Sequence, residues 1–260
     1  MFETARARMA GAYALHGYLP ASQAARTLRN RLRRLRGRAQ APALRLAQKS
    51  WSQVLPNHPI RLTETEKSDG NVRLSELAIL ALAASQVPAA REIIEIGTFD
   101  GRTALNLAIN APRGVSVMTL DLPPDQASAL EIEASERRYV DKPAPGARLR
   151  GCADFWRSHA GRVTQMQGDS ATFDWSPHFG RAGLVFVDGS HAYDYVRKDS
   201  ETAMKLVMPG DVVLWHDYGV WPGVNQALEE LEAAKSLGLV NITGTSLVFW
   251  RAPGGPAGQA

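Results

Sequence analysis

The sequence predicts an α/β protein: a doubly wound, mostly parallel sheet of seven strands with helices on both faces, preceded by a helical N-terminal extension. Three observations predict it. Short runs rich in Val, Ile and Leu alternate with helical stretches from about residue 74 onward. These runs lack strict apolar–polar alternation, so each strand is expected to be covered on both faces. A glycine turn, Gly97 to Gly101, joins a strand candidate to a helix, the arrangement found where an open sheet meets a ligand.

The elements follow in order. The chain has 260 residues, 45% hydrophobic and 22% charged, which suits one large α/β domain with an appendage. Residues 1–70 read as an Arg-rich extension of helix and loop, Ala- and Arg-rich to Gln48 and then interrupted by Pro56 and Pro59. Residues 71–252 read as the α/β domain, and the Gly/Pro/Ala tail 253–260 as disordered. A buried helix is expected over Leu74 to Val87, capped by Ser75 and ended by Pro88. The strands are expected at 92–96, 115–121, 162–167, 184–187, 211–215, 239–242 and 246–250, the last two forming an antiparallel pair. The stretch 123–161 is longer than a strand-to-strand connection needs, which suits a substrate wall or a contact between copies in a homo-oligomer.

Composition excludes several classes. The single Cys152 permits neither an internal disulfide nor a thiolate zinc site. It reads as a packed thiol in a cytoplasmic protein. No run approaches the roughly 20 apolar residues that span a bilayer, and Glu3, Arg6 and Arg8 interrupt the N-terminus, so no secretory signal is expected. The net charge of +4 is concentrated in Arg26, Arg29, Arg31, Arg33, Arg34, Arg36 and Arg38, with Leu28, Leu32 and Leu35 on one helical stripe. Such a helix either recruits nucleic acid, anionic lipid or an acidic partner, or docks by its leucines with a solvated basic face. The absence of aromatic residues for base stacking favours the second.

At the glycine turn the sequence reads Glu95-Ile-Gly-Thr-Phe-Asp-Gly-Arg-Thr103. Gly97 lets the backbone turn sharply and approach a ligand, and Gly101 lets the following helix pack closely and offer free N–H groups. Phe99 stands where a dinucleotide fingerprint has its second glycine, which disfavours NAD and FAD. The next strand ends at Asp121, where an acid can accept both ribose hydroxyls of a nucleoside ligand. A tight turn with no ligand is the alternative.

With these residues in order, the chain resembles the class I S-adenosylmethionine (SAM)-dependent methyltransferases, whose domain is a Rossmann-like α/β sheet. Glu95 to Thr103 resembles their first motif, acid-x-Gly-x-x-x-Gly, and Asp121 their ribose-binding acid. Gly168-Asp169-Ser170 resembles the segment that contacts adenine. Asp188-Gly-Ser-His191 and Pro209-Gly-Asp-Val-Val-Leu-Trp-His-Asp217 complete the pattern, which runs from about residue 71 to 251. The resemblance implies SAM as cofactor, held by Glu95, Gly97, Thr98, Phe99, Gly101, Thr103, Asp121, Asp169 and Ser170.

Within that superfamily the later motifs are similar to bacterial O-methyltransferases of macrolide and aminocoumarin tailoring. The likeness implies a divalent metal, usually Mg²⁺, between the fourth and fifth strand ends, held here by Asp188, His216 and Asp217. This chain departs from the pattern by carrying His216 where relatives commonly carry a second carboxylate. An imidazole shifts the expectation towards Mn²⁺, Fe²⁺ or Zn²⁺.

Methyl transfer from a sulfonium is an in-line attack that needs positioned reactants and removal of one proton. His191, just past Asp188, is the best base by position and by its ordinary pKa. The alternatives make His191 a capping residue and His216 a metal-free histidine bonded to Asp217 or backbone. Trp215, Tyr218 and Trp221 either line the pocket or belong to the core. His159 and His178 read as surface histidines. The expected substrate is a hydroxyl of a small molecule such as a sugar, phenol or natural product. The competing readings are a SAM-dependent enzyme acting on RNA or protein, disfavoured by the absence of an Asn/Asp-Pro-Pro-Tyr motif after the fourth strand, and a non-catalytic nucleoside-binding module.

Overall fold

The computed structural model describes residues 45–141 and 145–254. The basic segment 26–38 and nearly all of the C-terminal tail lie outside them. The described residues form one eight-stranded sheet: β1 (Ala47–Lys49), β2 (Glu92–Ile96), β3 (Val117–Asp121), β4 (Val163–Gln167), β5 (Ala182–Val187), β6 (Val207–Trp215), β7 (Val240–Ile242) and β8 (Val248–Arg251). The spatial order is β1-β7-β8-β6-β5-β2-β3-β4. All neighbours are parallel except β8, which runs antiparallel to both β6 and β7.

The seven expected strands are present, with ends displaced by a few residues. Val115, for example, closes a turn by donating its N–H to Pro112 at 3.2 Å before β3 begins. The eighth, β1, lies where helix and loop were expected. Its three residues are exposed, so no apolar pattern marks it, and only its parallel pairing with β7 makes it a strand.

Alternation along the central strands divides the core. Val185 and Val187 face one layer while Leu184 and Phe186 face the other. The first layer packs on helices α3 (Tyr193–Leu206) and α4 (Pro222–Lys235) through Val196, Leu206, Val224 and Leu228; numbering here covers the helices of two turns or more. The second packs on α1 (Leu74–Ala84) and α2 (Arg102–Asn110) through Leu77, Leu80, Leu107 and Ala108. Cys152 is buried beside α2, as a packed thiol should be. Among the described residues no helix is long and apolar enough to cross a membrane.

Ser75 does not cap α1. The Glu76 carboxylate instead accepts the Arg73 N–H at 2.7 Å, closing the first turn with an acid that also points into the site below. The preceding stretch, 61–72, is fastened over α2 by side chains of that helix. The fully buried Arg102 guanidinium donates to the carbonyls of Glu64, Thr65 and Val72, while Asn106 bonds both ways with the Thr63 backbone.

Strand order reverses between β2 and β5: the chain grows outward through β3 and β4 on one side and through β6 on the other. The crevice at the carboxyl ends of these strands is therefore the expected binding place.

Candidate active site

Two groups of residues meet at that crevice. The first is the glycine turn after β2. Gly97 has φ +103°, and a Cβ there would lie 2.1 Å from the Asp188 carbonyl oxygen, so only glycine lets the tips of β2 and β5 close together. Phe99 is also left-handed, at φ 48°. Its N–H donates to Asp121 Oδ2 at 2.6 Å, which ties the turn to the tip of β3. Beneath it, Thr98 and Thr119 hydroxyls meet at 2.7 Å, and Thr119 donates to Glu95 Oε2 at 2.5 Å. Burial drives the Glu95 carboxyl well above its usual range, against the Thr119 bond. Its second oxygen, Oε1, has no partner among the described residues. Gly101 and the buried Thr103 open α2.

At the tip of β4, Asp169 is buried and engaged by protein donors: Ala171 N–H at 2.8 Å on one oxygen, Ala129 N–H at 2.6 Å and Tyr195 O–H at 2.5 Å on the other. Ser170 follows, its carbonyl accepting the Trp175 indole N–H at 3.0 Å.

The second group gathers at the ends of β5 and β6. Asp188 ends β5; His216 and Asp217 follow β6, with Asp217 in the left-handed region at φ 64°, the kind of strained backbone that functional sites hold. His191 Nε2 lies 2.7 Å from Asp217 Oδ2, and its Nδ1 lies 2.5 Å from Glu136 Oε1. Its ring stacks on Trp221 with centroids 4.5 Å apart and planes 3° from parallel. Burial lowers the affinity of His191 for a proton, but the Asp217 and Glu136 carboxylates outweigh it, and the pKa rises to about 9. Asp217 is held far below the carboxylate range: burial opposes this, but the two neighbouring imidazoles prevail.

All four predicted polar residues at these tips therefore converge. The predicted metal set, Asp188, His216 and Asp217, stands together, with His191 beside it. His216 is buried with Nδ1 2.9 Å from Asp188 Oδ1 and Nε2 3.3 Å from Glu76 Oε2, and it is 3.5 Å from Asp217. Both its nitrogens face carboxylates. The group whose ligand atoms all lie within 4.8 Å of one another is Asp188, His191 and Asp217. His191 is thus a further candidate nitrogen donor beside His216, whose Nε2 is backed by Glu76 from α1.

Of the predicted lining aromatics, Tyr218 belongs to the core, Trp215 is buried but lines the small cavity beside Asp188, His191 and His216, and Trp221 stacks on His191. Sequence reasoning missed Glu76 and Glu136. Glu76 carried a signal, an acid inside an otherwise apolar helix, since a buried acid must have a partner. Glu136 carried none that separated it from Glu131 and Glu133. The 123–161 stretch that holds it reaches the site: Tyr139 makes edge contacts with Phe99 at 6.1 Å and His191 at 6.4 Å.

Residues 94–218, which contain both groups, match a family model described as a methyltransferase domain. These residues are similar to a methyltransferase domain. The motifs of the chain resemble those of the class I SAM-dependent kind. Among solved structures, the calicheamicin methyltransferase CalS11 is 17% identical with a TM-score of 0.52, covering 82% of this chain and 98% of its own. The O-methyltransferase NovP is 15% identical with a TM-score of 0.50, covering 70% and 81%. The cofactor-bound Rv0187 from MTB is 18% identical with a TM-score of 0.50, covering 74% and 85%. At these identities the likeness is one of fold. A comparison with curated proteins finds no significant match. The glycine turn after β2 and the His191 cluster at the ends of β5 and β6 thus both stand at the crevice.

Proposed function

We propose that this chain moves a methyl group from SAM to a hydroxyl oxygen of a small molecule, with His191 as the base that takes the hydroxyl proton. The observation that carries the reading is the His191 ring itself. It stands at the crevice with Nε2 beside Asp217, clamped between Glu136 and stacked on Trp221.

The sulfonium of bound SAM supplies the driving force for methyl transfer. This chain's residues do the rest. The glycine turn, Asp121 and the α2 N-terminus suit a nucleoside-bearing cofactor, and the orphaned Glu95 Oε1 offers a buried polar atom still lacking a partner. Asp169 and Ser170 sit where an adenine contact is expected, although Asp169 already serves three protein donors. His191 Nε2, once neutral, accepts the proton that a hydroxyl sheds as it attacks, and Asp217 stabilises the imidazolium that results. The Tyr139 and Trp221 rings flank the imidazole, Trp221 stacked and Tyr139 edge-on.

A second reading, metal assistance, is favoured by the gathering of Asp188, His191 and Asp217. Two carboxylates and an imidazole fit Mn²⁺, Fe²⁺ or Zn²⁺ better than Mg²⁺. An ion there would act as a Lewis acid and lower the pKa of the acceptor hydroxyl.

The test incubates the full-length chain with methyl-labelled SAM and two probe acceptors, catechol and methyl glucoside, with tRNA and casein alongside. Label on an oxygen of either small probe, reduced on the order of 10²-fold or more in His191→Ala, supports the reading. SAM binding with label only on tRNA or casein refutes it.

A further inference from the structure

We propose that Glu136 is the positioning residue for His191, fixing which imidazole nitrogen faces the crevice. The proposal rests on the reading that His191 Nε2 does the work at this site, as base or as ligand.

Glu136 is 3% exposed, and a carboxylate that deep must be satisfied by donors. Its donors are few and specific. Oε1 accepts the His191 backbone N–H and faces His191 Nδ1 at 2.5 Å. Oε2 accepts the Ser190 hydroxyl at 3.1 Å and the Glu133 N–H at 3.2 Å. Three of these four contacts fall on the two residues Ser190 and His191, which lie 54 and 55 positions along the chain. The carboxylate thus grips the backbone and the side chain of His191 together.

What the grip does follows from imidazole chemistry. The ring is thus held with Nδ1 towards Glu136 and Nε2 towards Asp217 at the crevice, 2.5 and 2.7 Å away, so the proton exchanged at the crevice is the one on Nε2. The Trp221 stack fixes the plane of the ring but permits a 180° flip about Cβ–Cγ that exchanges its edges; the Glu136 contact disfavours it. A base oriented by a third group is the general arrangement of activated catalytic sites. The segment that carries Glu136 is itself moored at the β4 tip, where Ala129 N–H donates to Asp169 and Leu130 N–H to Tyr195 O–H at 3.3 Å. The position of the His191 ring is therefore set from outside its own loop.

The experiment uses the full-length chain labelled with ¹⁵N-histidine. Wild type should show a strongly downfield, hydrogen-bonded Nδ1–H proton, assigned to His191 by its loss in His191→Asn. In Glu136→Gln the resonance should move upfield as the charge leaves the bond; in Glu136→Asp, which keeps the charge, it should stay downfield. With catechol as probe acceptor, Glu136→Gln should lower kcat on the order of 100-fold with KM changed by less than about threefold, and Glu136→Asp should recover part of that loss. SAM affinity by calorimetry should change less than about twofold in both. An unmoved resonance in Glu136→Gln overturns the proposal, as does an equal loss of kcat in both variants. If Glu136→Gln fails to fold, a downfield resonance in Glu136→Asp supports it and its absence there overturns it. If wild type methylates neither catechol nor methyl glucoside, the functional reading fails while the resonance still decides the role of Glu136.

Discussion

His216 and Glu76, 140 positions apart, meet where α1 starts behind the tip of β6, imidazole Nε2 3.3 Å from carboxylate Oε2. Both are buried. The other Glu76 oxygen accepts the Ser246 N–H and hydroxyl, each at 2.9 Å, and pairs with Arg73 at 2.5 Å. Burial opposes charge on both residues. The Asp188 and Asp217 carboxylates nonetheless hold His216 well above its usual range, and His216 with Arg73 holds Glu76 far below its own. Removing one member strands a buried charge, so Glu76→Ala should cost about 3–5 kcal/mol in urea unfolding. A loss under about 1 kcal/mol would mean the pair is not ionised.

The same pair sets a pH window. The Glu76 pKa is depressed, so its contribution is present above the unfolded carboxylate value of 4.5 and is lost on acidification. The His216 pKa is raised, so its contribution is complete below the unfolded value of 6.5 and fades as pH climbs towards the folded value. Their joint contribution is largest between 4.5 and 6.5. Urea midpoints across pH should show Glu76→Ala losing most relative to wild type in that window; a pH-independent difference would contradict the assignment.

His191 gives a kinetic counterpart. Its pKa of about 9 makes it an imidazolium at neutral pH, unable to accept a proton. In chelator, kcat/KM should therefore rise with pH to a limb near 9. A limb at the ordinary histidine value, or none, would remove His191 from the base role.

Asp121 tests the cofactor side. Its carboxylate braces the left-handed Phe99 turn through the 2.6 Å bond, and on the proposed reading it also accepts ribose hydroxyls. Asp121→Ala should weaken SAM binding by on the order of 3 kcal/mol, roughly 100-fold, by calorimetry. Unchanged affinity would sink the assignment.

How much of this was legible beforehand depended on the kind of signal. The parallel sheet was readable because β2, β3, β5 and β6 are apolar runs whose pattern depends only on local sequence. Asp188, His191, His216 and Asp217 were readable because strand ends point residues at one crevice. The β1 strand was not, since Ala47–Lys49 owes its state to β7. The contact of Glu76 with His216 was equally hidden, since Glu76 reaches the site only after α1 docks against the sheet. Glu136 belongs to the same class, one acid among several in a long connection, distinguished only by where the chain folds back.

The metal reading makes the last prediction. Asp188, His191 and Asp217 offer ligand atoms within 4.8 Å of one another, while His216, held between Asp188 and Glu76, already places a positive charge beside the two acids. That internal cation should leave the site partly competent without an ion and weaken its hold on a hard one. Chelator should therefore lower kcat by roughly 10–100-fold without abolishing it. Mn²⁺ or Fe²⁺ should restore it at lower concentration than Mg²⁺, because an imidazole donor favours the transition metals. Asp217→Ala should remove the response to any ion while leaving SAM affinity within about twofold, since on the metal reading the ion meets the acceptor and not the cofactor. Full activity in excess chelator, with no stimulation by added ions, refutes metal assistance and leaves His191 alone to take the proton.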